Sequence, residues 1–459
     1  MMSGFKHALC ICPHHKRERY PFFPPTGLEY IASAFATRVP RVTLADLRHD
    51  PEFRPEWRLH EFIRREGVDL LAVSLNWEFN YEEVTDMINR LTPDIFTIVG
   101  GNEASVQVEE TMERCPNVDV LVRGEGEEIV IELASGRPFA EINGISWRQN
   151  GSIVHNENRT AGPVEGLPAR DRDLRRLSYD LAPYEVNIKS CGFDTVLTSR
   201  GCPFKCKFCP LNLNPLGKKR EYGERPAEDV FEEIKSLDAD LIYLCDDNLF
   251  VNPKRIERLC DMLIEAKIRK KFMAQARVEI ARSPRLLNKL VRSGFKVLLL
   301  GIESANDRSL KIFNKGFTVS ELREYFKVFK RFPMWYQGYF IIGNIGETEE
   351  EMLAIPRFAH ELGLDSVSIM HLKAAQFTPI KEMVEDTPGY YIGSGYRVYS
   401  DRYSIEDIQQ IRRQIVREFY TPLQIAKTLR KLVRIGLFKP LELASLTFSF
   451  ALNRHRRKS

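Results

Sequence analysis

Three cysteines close together in the chain are the residues best suited to chemistry. Cys202, Cys206 and Cys209 lie within eight residues, separated by three and then two positions, in a loop that also contains glycine and proline. A structural zinc site needs four ligands, commonly arranged as two pairs, and no second pair is visible; buried core cysteines are the other alternative. Three thiolates instead suit a [4Fe-4S] cluster in which one iron stays open to a substrate.

A series of alternating strand and helix patterns must position this loop. Strands are predicted at 195–198, 241–245, 272–276, 297–302, 338–342 and 366–370, with helical periodicity between them. This alternation predicts an α/β fold with a parallel sheet covered by helices. A closed barrel of this kind uses eight strands, so six predict a partly open barrel. The cysteine loop directly follows the first strand, and we expect the active site at the carboxyl ends of the strands.

The first part of the chain has a second series of the same type. Strands are predicted at 8–12, 42–46, 70–75, 96–99 and 118–122. They predict a doubly wound parallel sheet in residues 1–135, with its ligand at the carboxyl ends of the strands. Residues 136–190 are interpreted as a linker with a small β-ribbon, because Asn150-Gly151 separates two short strand patterns. The predicted barrel domain is 191–380, and 381–459 is a helical, basic C-terminal region.

The cysteine motif and its place after the first barrel strand resemble the radical S-adenosylmethionine (SAM) superfamily, whose signature is Cys-x3-Cys-x2-Cys. The resemblance implies that the open iron binds the amino and carboxylate groups of SAM. One-electron reduction, by a donor such as flavodoxin or ferredoxin, then yields methionine and a 5′-deoxyadenosyl radical that takes hydrogen from an unactivated carbon. The resemblance also implies that the three cysteines are cluster ligands and that Phe208, the aromatic residue before the last cysteine, is a cofactor-binding residue.

Further positions at the strand ends match the family's SAM-binding pattern. They are Asp246, Asp247, Gln275, Arg277, Glu303 and Gly343. The two aspartates end the second strand, where the family places acidic groups against the SAM ammonium; a turn that caps the next helix is the alternative. The glutamine, arginine and glutamate match positions that reach the SAM ribose and carboxylate, unless they are barrel groups that satisfy one another. The glycine lets the adenine approach the backbone.

Residues 1–135 resemble the cobalamin-binding domain that precedes the barrel in one large branch of this superfamily. The matching stretches are 23–32, 68–74, 98–101 and 118–127. Gly100 and Gly101, at a strand end, open space for a nucleotide tail, and Ser74 offers a hydroxyl at the neighbouring strand end. Glycine pairs are also common as plain turns, and a domain that has lost the cofactor is the alternative.

The loop after the first strand departs from one version of this pattern. Cobalamin proteins that ligate cobalt through histidine use Asp-x-His-x-x-Gly there, and this loop has no such motif. His14 and His15 are interpreted as solvent-facing residues. We therefore expect cobalamin to bind without a histidine axial ligand.

The positive charge of the chain is concentrated at its C-terminus. The net charge is +4, but residues 421–459 contain nine Lys or Arg and one Glu, so the preceding residues are net acidic. Clustered cations beside apolar runs favour a helix at an anionic membrane surface. A core-packing helix with a solvated tail, or a nucleic-acid patch, are the alternatives, and no nucleic-acid partner is expected. The membrane interpretation favours a lipid-like substrate such as an isoprenoid, hopanoid or tetrapyrrole.

Composition excludes several other classes of protein. The chain is 43% hydrophobic and 28% charged, which is typical of folded globular proteins. Nine cysteines are too few for a disulfide framework. No uninterrupted apolar stretch reaches the roughly 18 to 20 residues of a membrane span, and the apolar run at 441–452 is too short. With no signal-peptide pattern at the start, a cytoplasmic location is expected, with the tail peripheral on the inner face of the membrane.

The resemblance implies a cobalamin-dependent radical SAM methyltransferase as the leading hypothesis. One SAM yields the radical, methylcobalamin delivers the methyl group and a second SAM remethylates the cobalamin. The alternative is a radical cyclase, oxidoreductase or rearrangement enzyme without methyl transfer, as in the family's magnesium-protoporphyrin ester cyclases. Methylthiolation is disfavoured because Cys10, Cys12 and Cys115 do not reproduce the second cluster pattern. A non-catalytic cobalamin or iron–sulfur sensor is the hypothesis from a different class.

Overall fold

A computed structural model describes most of the chain. The described residues are 4–13, 23–53, 56–91, 94–159, 164–167, 169–179, 191–214 and 216–440. The chain divides into two compact units. The first comprises residues 1–179 and 213–220, and the second comprises 180–212 and 221–459.

The first unit is built from seven strands and six helices among its described residues. In chain order they are β1 (His7–Cys12), α1 (Thr26–Ala36), β2 (Arg41–Asp46), α2 (Trp57–Arg65), β3 (Leu70–Ser74), α3 (Tyr81–Arg90), β4 (Phe96–Gly100), α4 (Asn102–Val106), α5 (Val108–Arg114), β5 (Val120–Val122), α6 (Glu127–Ala134), β6 (Ile145–Gln149) and β7 (Ser152–His155). The sheet order is β2-β1-β3-β4-β5-β6-β7, and the first five strands are parallel.

Both faces of this sheet are buried. Alternate residues of the same strand enter different clusters: Leu71 and Val73 pack on one face, and Leu70 and Ala72 pack on the other. Burial on both sides explains why these strands are nearly continuous hydrophobic runs in the sequence. The doubly wound architecture predicted from the sequence is confirmed.

The predicted β-ribbon continues the first sheet. β6 pairs antiparallel with β5, and β7 pairs antiparallel with β6, so the hairpin covers the edge that β5 would otherwise expose. Asn150 and Gly151 both have positive φ (51° and 81°), as a two-residue hairpin turn requires. The ribbon therefore belongs to the first unit, not to a separate linker. Residues 180–190, the end of the predicted linker, lie outside the described residues.

The second unit alternates strands and helices around a second parallel sheet. Its elements are β8 (Phe193–Val196), β9 (Ser199–Arg200), β10 (Gly223–Glu224), α7 (Ala227–Ser236), β11 (Leu241–Leu244), α8 (Pro253–Glu265), β12 (Lys271–Arg277), α9 (Pro284–Ser293), β13 (Phe295–Glu303), α10 (Asp307–Ile312), α11 (Val319–Phe329), β14 (Trp335–Ile342), α12 (Glu349–Leu353), α13 (Ile355–Leu362), β15 (Ser366–His371), α14 (Pro379–Glu385), β16 (Tyr390–Ile392), β17 (Val398–Ser400), α15 (Ile405–Phe419) and α16 (Pro422–Arg434).

Six parallel strands form the predicted partial barrel, in the order β8-β11-β12-β13-β14-β15. Register places Gln275, Leu299 and Gln337 in one row on adjacent strands, whereas Ala274 and Leu298 point to the helix-covered face and join the main core. The row that does not face the helices is thus largely polar or part-exposed. Because the strands are parallel, their carboxyl ends meet at one edge, which is where the cysteine loop begins.

The C-terminal region packs on the barrel unit. Ser404 and Asp407 form a capping box that starts α15, and the buried residues of this helix recur at helical spacing from Ile408 to Phe419. In α16, Lys431 Nζ contacts Asp365 Oδ2 at 2.6 Å. No helix in the described ranges is long and apolar enough to span a bilayer. The basic and apolar stretch 441–459 lies outside the described residues.

Candidate functional site

The cysteine loop is fixed at its start by the end of β11. Gly201, at φ +85°, donates its backbone N–H to Asp247 Oδ2 at 3.1 Å. Further along, the backbone N–H of Cys209 donates to the carbonyl of Cys206 at 3.2 Å. Glycine is needed at the first position because L side chains avoid this left-handed backbone conformation.

Backbone hydrogen bonds hold the middle of the same loop on the barrel unit. Lys207 donates its N–H to the carbonyl of Phe313 at 3.1 Å and accepts from the N–H of Ile380 at 3.0 Å. The Phe208 ring lies edge-on to the Phe313 ring, with centroids 5.0 Å apart. Phe208, predicted to bind a cofactor, therefore also anchors the loop through apolar contact.

The three thiols suit a cluster better than a single metal ion. Burial raises the pKa of Cys202, and it raises the pKa of Cys209 to about 12; the neighbouring thiols raise both pKa values further. Across the described part of the chain, however, no three Cys, His, Asp or Glu side chains converge tightly enough to hold one metal ion. A cluster takes each thiolate on a different iron and supplies the positive charge that deprotonates it.

The two aspartates after β11 have different surroundings. Asp246 is fully buried, and its Oδ1 accepts hydrogen bonds from the hydroxyls of Thr198 and Ser199. Its Oδ2 has no hydrogen-bond partner among the described residues, and burial raises the pKa of this carboxyl. Asp246 thus fastens the chain just before the cysteine loop, whereas Asp247 is part-exposed and reaches the loop itself.

The polar residues of β12 have partners inside the unit. Gln275 Nε2 donates to the hydroxyl of Tyr243 at 2.6 Å, and burial raises the pKa of that tyrosine. Arg277 Nη1 lies 3.4 Å from Sγ of Cys206. The structure therefore brings Arg277 to the thiol of Cys206, a predicted cluster ligand, while Gln275 lies one pleat further from the carboxyl edge.

Glu303 ends β13 in an unusual backbone conformation. Its φ is +70°, at a register shift between β13 and β14. Its Oε1 is 3.0 Å from Nζ of Lys315, and both side chains are buried. A Cβ on Gly301 would lie 2.7 Å from the same Oε1, so glycine there makes room for the carboxylate.

Gly343 follows β14 at φ +81°. A Cβ at this position would lie 2.9 Å from Ile408 Cδ1. The backbone N–H groups of Gly343 and Asn344 donate to Glu347 Oε2 at 2.8 and 3.0 Å. Burial raises the pKa of Glu347 to about 7. Glu347 is therefore the residue that closes this loop.

At the carboxyl edge of the first sheet, side chains and backbone tie β3 to β4. Ser74 Oγ accepts from Asn76 Nδ2 at 2.6 Å, and Asn76 Oδ1 accepts from the N–H of Asn102 at 3.1 Å. A Cβ on Gly101 would lie 2.6 Å from both Asn76 Oδ1 and the Leu75 carbonyl oxygen. A tight turn thus requires this glycine, whatever ligand approaches the edge.

Gly100 has no such constraint, because its Cβ would meet Val122 at an ordinary 3.5 Å. Two large apolar side chains are exposed just beyond β3: Trp77 and Phe79 are 58% and 44% exposed and stack with centroids 5.8 Å apart. Open α/β sheets bind their ligands at the carboxyl ends of the strands, and exposed aromatic rings there suit contact with a large flat cofactor. His14 and His15 lie outside the described residues.

Several of these residues were not singled out in the sequence. Lys315 and Tyr243 reach the site region through contacts with other segments, whereas Trp77 lies only three residues after Ser74. Glu279 lies only two residues after Arg277, and that proximity is the one signal available from the sequence.

Two family models match the chain. The radical SAM superfamily model covers residues 196–359, and the B12 binding domain model covers residues 17–134. Together they contain strands β2 to β5 of the first sheet, strands β11 to β14 of the second sheet and the cysteine loop.

Relatives and a solved structure agree with these matches. An uncharacterized methyltransferase, PH0819, from Pyrococcus horikoshii is 30% identical over 74% of this chain and 74% of its own length. The anaerobic magnesium-protoporphyrin IX monomethyl ester cyclase of Cereibacter sphaeroides is 26% identical over 72% of this chain and 55% of its own length. The radical SAM methyltransferase TsrM from Kitasatospora setae, solved with cobalamin and a [4Fe-4S] cluster, has the same fold: the TM-score is 0.68 at 17% identity, covering 92% of this chain and 90% of that chain.

The fold and the cysteine loop thus define a radical SAM enzyme with an N-terminal B12-binding domain. The chain belongs to the cobalamin-dependent radical SAM methyltransferase family. Its cofactors are a [4Fe-4S] cluster, SAM and cobalamin.

Proposed function

We propose that this enzyme methylates an unactivated carbon of a lipid-like or tetrapyrrole substrate. The observation that carries the proposal is the cysteine loop at the carboxyl edge of the barrel, next to Asp247 and Arg277. When bound, the cluster and SAM supply a carbon-centred radical, and cobalamin supplies the methyl group.

The side chains of the second unit take the roles that the resemblance implies. Cys202, Cys206 and Cys209 bind three irons and leave the fourth for SAM. The part-exposed Asp247 carboxylate is more accessible to the SAM ammonium than the carboxylate of Asp246, which is fully buried. Gln275, Glu303 and Gly343 line the SAM-binding region, as proposed from the motif.

The first unit holds cobalamin at the carboxyl edge of its sheet. Ser74, Gly100 and Gly101 lie at that edge, and the exposed Trp77 and Phe79 rings provide apolar surface beside it. The proposed binding uses no histidine from an Asp-x-His-x-x-Gly motif.

Exposed apolar residues around the cysteine loop and after β15 support a hydrophobic substrate. Phe204, Leu211 and Phe377 are 39%, 42% and 52% exposed. Exposed apolar side chains beside a site suit contact with an apolar ligand. The related ester cyclase, whose name specifies a magnesium porphyrin, supports a tetrapyrrole and also the alternative function, radical ring formation without methyl transfer.

Product mass tests the proposal. The protein is purified without oxygen, reconstituted with iron, sulfide and hydroxocobalamin, and incubated with SAM, reductant and a bacterial lipid and pigment extract. Deoxyadenosine with a product one methyl heavier supports methylation; deoxyadenosine without a methyl gain supports cyclisation instead. Neither deoxyadenosine nor product would point to the sensor class.

Cysteine variants test the cluster assignment. Cys206→Ala should lose cluster absorbance and all deoxyadenosine formation. Cys260→Ala is the matched control, since it removes a fully buried thiol in the helix α8. Unchanged cluster content in Cys206→Ala would contradict the assignment.

The exposed face of α16 supports a membrane-surface location. Leu423, Ile425 and Val433 are 65%, 44% and 38% exposed, and the exposed cations of the helix are Lys427, Arg430 and Arg434. The opposite face is packed, because Gln424 and Leu432 are buried. Leu423, Val433 and the three cations fall on one exposed face at helical spacing, whereas Ile425 lies outside that face. Apolar and cationic residues on one exposed face suit the interface of an anionic bilayer.

Vesicle binding tests this location. The full chain should co-sediment with phosphatidylglycerol vesicles more than with phosphatidylcholine vesicles, and the double change Lys427→Gln/Arg430→Gln should weaken that binding. Arg258→Gln/Arg282→Gln removes two exposed cations elsewhere and is the control. A chain ending at residue 440 separates the helix from the basic stretch 441–459. Equal binding by all chains would contradict the proposal.

The reductant is proposed to be a small acidic electron carrier such as flavodoxin or ferredoxin. The exposed cation Lys205 lies in the cysteine loop, and the exposed Lys311 lies in α10. Two residues after the end of α10, the side-chain amide of Asn314 donates to the Lys205 carbonyl at 2.8 Å. Lys205→Glu should slow turnover with flavodoxin and leave turnover with dithionite unchanged.

A further inference from the structure

The side chain of Arg277 is directed at one cluster-ligand sulfur. Its Nη1 is 3.4 Å from Sγ of Cys206, which is hydrogen-bond distance for a sulfur acceptor. Its guanidinium carbon lies 3.9 Å from the centroid of the Phe204 ring, in the same loop. The arginine therefore contacts the cysteine loop through both a donor and a stacked face.

The rest of the guanidinium is already occupied. Nε and Nη2 donate to Oε1 of Glu279 at 3.1 and 2.6 Å, and Nη2 also donates to the carbonyl of Lys315. Arginine has five N–H donors, so four are used and one, on Nη1, remains. Lys315 is itself held by Glu303. Arg277 is thus fixed beside Cys206 and has little capacity left for a SAM carboxylate.

We infer that the Arg277–Glu279 pair sets the reduction potential of the cluster through Cys206. An N–H donor and a positive charge beside a ligand sulfur stabilise the reduced cluster, which carries one more electron. The carboxylate of Glu279 opposes that charge. The Arg277 side chain is 12% exposed and that of Glu279 is 22% exposed, so water screens the pair only partly.

This inference rests on the proposed role of Cys206 as a cluster ligand and gives Arg277 a different role from the SAM contact expected from the motif. Arg277 acts through a thiolate and is therefore a positioning residue. The inference also predicts that changes at Arg277 and at Glu279 shift the cluster potential in opposite directions. Loss of packing alone does not predict opposite shifts.

Three variants separate charge from structure. Arg277→Gln removes the charge at Cys206, so the midpoint potential should shift to more negative values. Glu279→Gln leaves the guanidinium uncompensated, so the potential should shift to more positive values. The double variant restores neutrality and should lie between the single variants. Arg282→Gln removes an exposed charge that pairs with Glu321 and should leave the potential unchanged.

The measurement is a redox titration of each reconstituted protein, followed by the electron paramagnetic resonance of the reduced cluster, in the absence of SAM. SAM affinity of the oxidised proteins is measured in parallel. Opposite shifts in the two single variants support the inference. Shifts in the same direction, or an unchanged potential with weakened SAM binding in Arg277→Gln, would overturn it. Wild-type protein that binds no cluster would overturn the cysteine assignment itself, a failure distinct from an unchanged potential.

Discussion

Nζ of Lys315 lies 3.0 Å from Oε1 of Glu303, at the carboxyl end of the fourth barrel strand. The two side chains are 4% and 8% exposed, so this ion pair is almost fully removed from water. The backbone of Glu303 is left-handed, at φ +70°. A non-glycine residue in that conformation costs free energy, which the surrounding contacts must offset.

Lys315→Met should destabilise the protein strongly. The change leaves the Glu303 carboxylate buried without its partner, and breaking a buried pair in this way costs about 3–5 kcal/mol. The double variant Lys315→Met/Glu303→Gln should recover much of the loss, because the buried charge is gone. Urea unfolding of the three proteins measures the free energies. Lys311→Met, at an exposed position, is the control; equal stability of the two lysine variants would contradict the prediction.

Glu347 should make stability depend on pH. Burial raises its pKa from 4.5 to about 7. The folded state therefore holds this proton more tightly than the unfolded state, and the associated stability is complete below about pH 4.5 and is lost as the pH rises through about 7. One pKa unit corresponds to about 1.4 kcal/mol, so the loss in the free energy of unfolding is on the order of 3 kcal/mol.

Glu347→Gln should remove this pH dependence, since an amide oxygen still accepts from Gly343 and Asn344 but does not titrate. Urea unfolding at pH 5 and pH 8 gives, for each protein, the difference in the free energy of unfolding between the two pH values. Glu349→Gln, at an exposed position two residues further on, should behave like the wild type. If the free energy of unfolding changes between pH 5 and pH 8 by the same amount in wild type and Glu347→Gln, this carboxyl is not the cause of the pH dependence.

Regular strands were predictable because their buried residues follow one another in the sequence. The prediction of a strand at 272–276 falls within Lys271–Arg277, and that at 338–342 falls within Trp335–Ile342. The short hairpin of β16 and β17 was missed, because three-residue strands carry too little periodicity. The pairing of the β6–β7 hairpin with the first sheet was missed because strand partners are not encoded locally.

The cysteine loop was also predictable, because its three cysteines lie close together in sequence. Contacts that act between distant segments were not. The Glu303–Lys315 pair depends on a turn after α10, and Gln275 meets Tyr243 only because β11 and β12 are neighbours. The family resemblance likewise predicted the same role for Asp246 and Asp247, whereas in the structure Asp246 accepts from two hydroxyls and Asp247 accepts from the backbone of the cysteine loop.

Gly101→Ala should destabilise the first unit, and Gly100→Ala should not. Gly101 has φ 122° and ψ 176°, a region open essentially to glycine alone and worth about 1–3 kcal/mol of strain for other residues. Its Cβ would also strike the Leu75 carbonyl oxygen, whereas a Cβ on Gly100 meets only an ordinary contact. Thermal unfolding distinguishes the two. If Gly100→Ala keeps its stability but binds less cobalamin, the loss locates the cofactor at this strand end.

Asp247→Ala should lower cluster retention, because the carboxylate orders the first residue of the cysteine loop. Its Oδ2 accepts the Gly201 N–H at 3.1 Å, and a hydrogen bond to a charged group contributes about 1.5–3 kcal/mol. Without it, the loop is less often in the conformation that brings the thiols together, so a chelator should remove iron about tenfold faster or more.

Asp247→Asn keeps an oxygen acceptor, and its rate of iron loss should fall between those of wild type and Asp247→Ala. Asp261→Ala removes a part-exposed carboxylate that pairs with Lys289 and is the control. Iron and sulfide per chain over time measure the effect. Equal rates for Asp247→Ala and Asp261→Ala would show that the loop is ordered without this bond, and would leave SAM binding as the reason for an aspartate at this position.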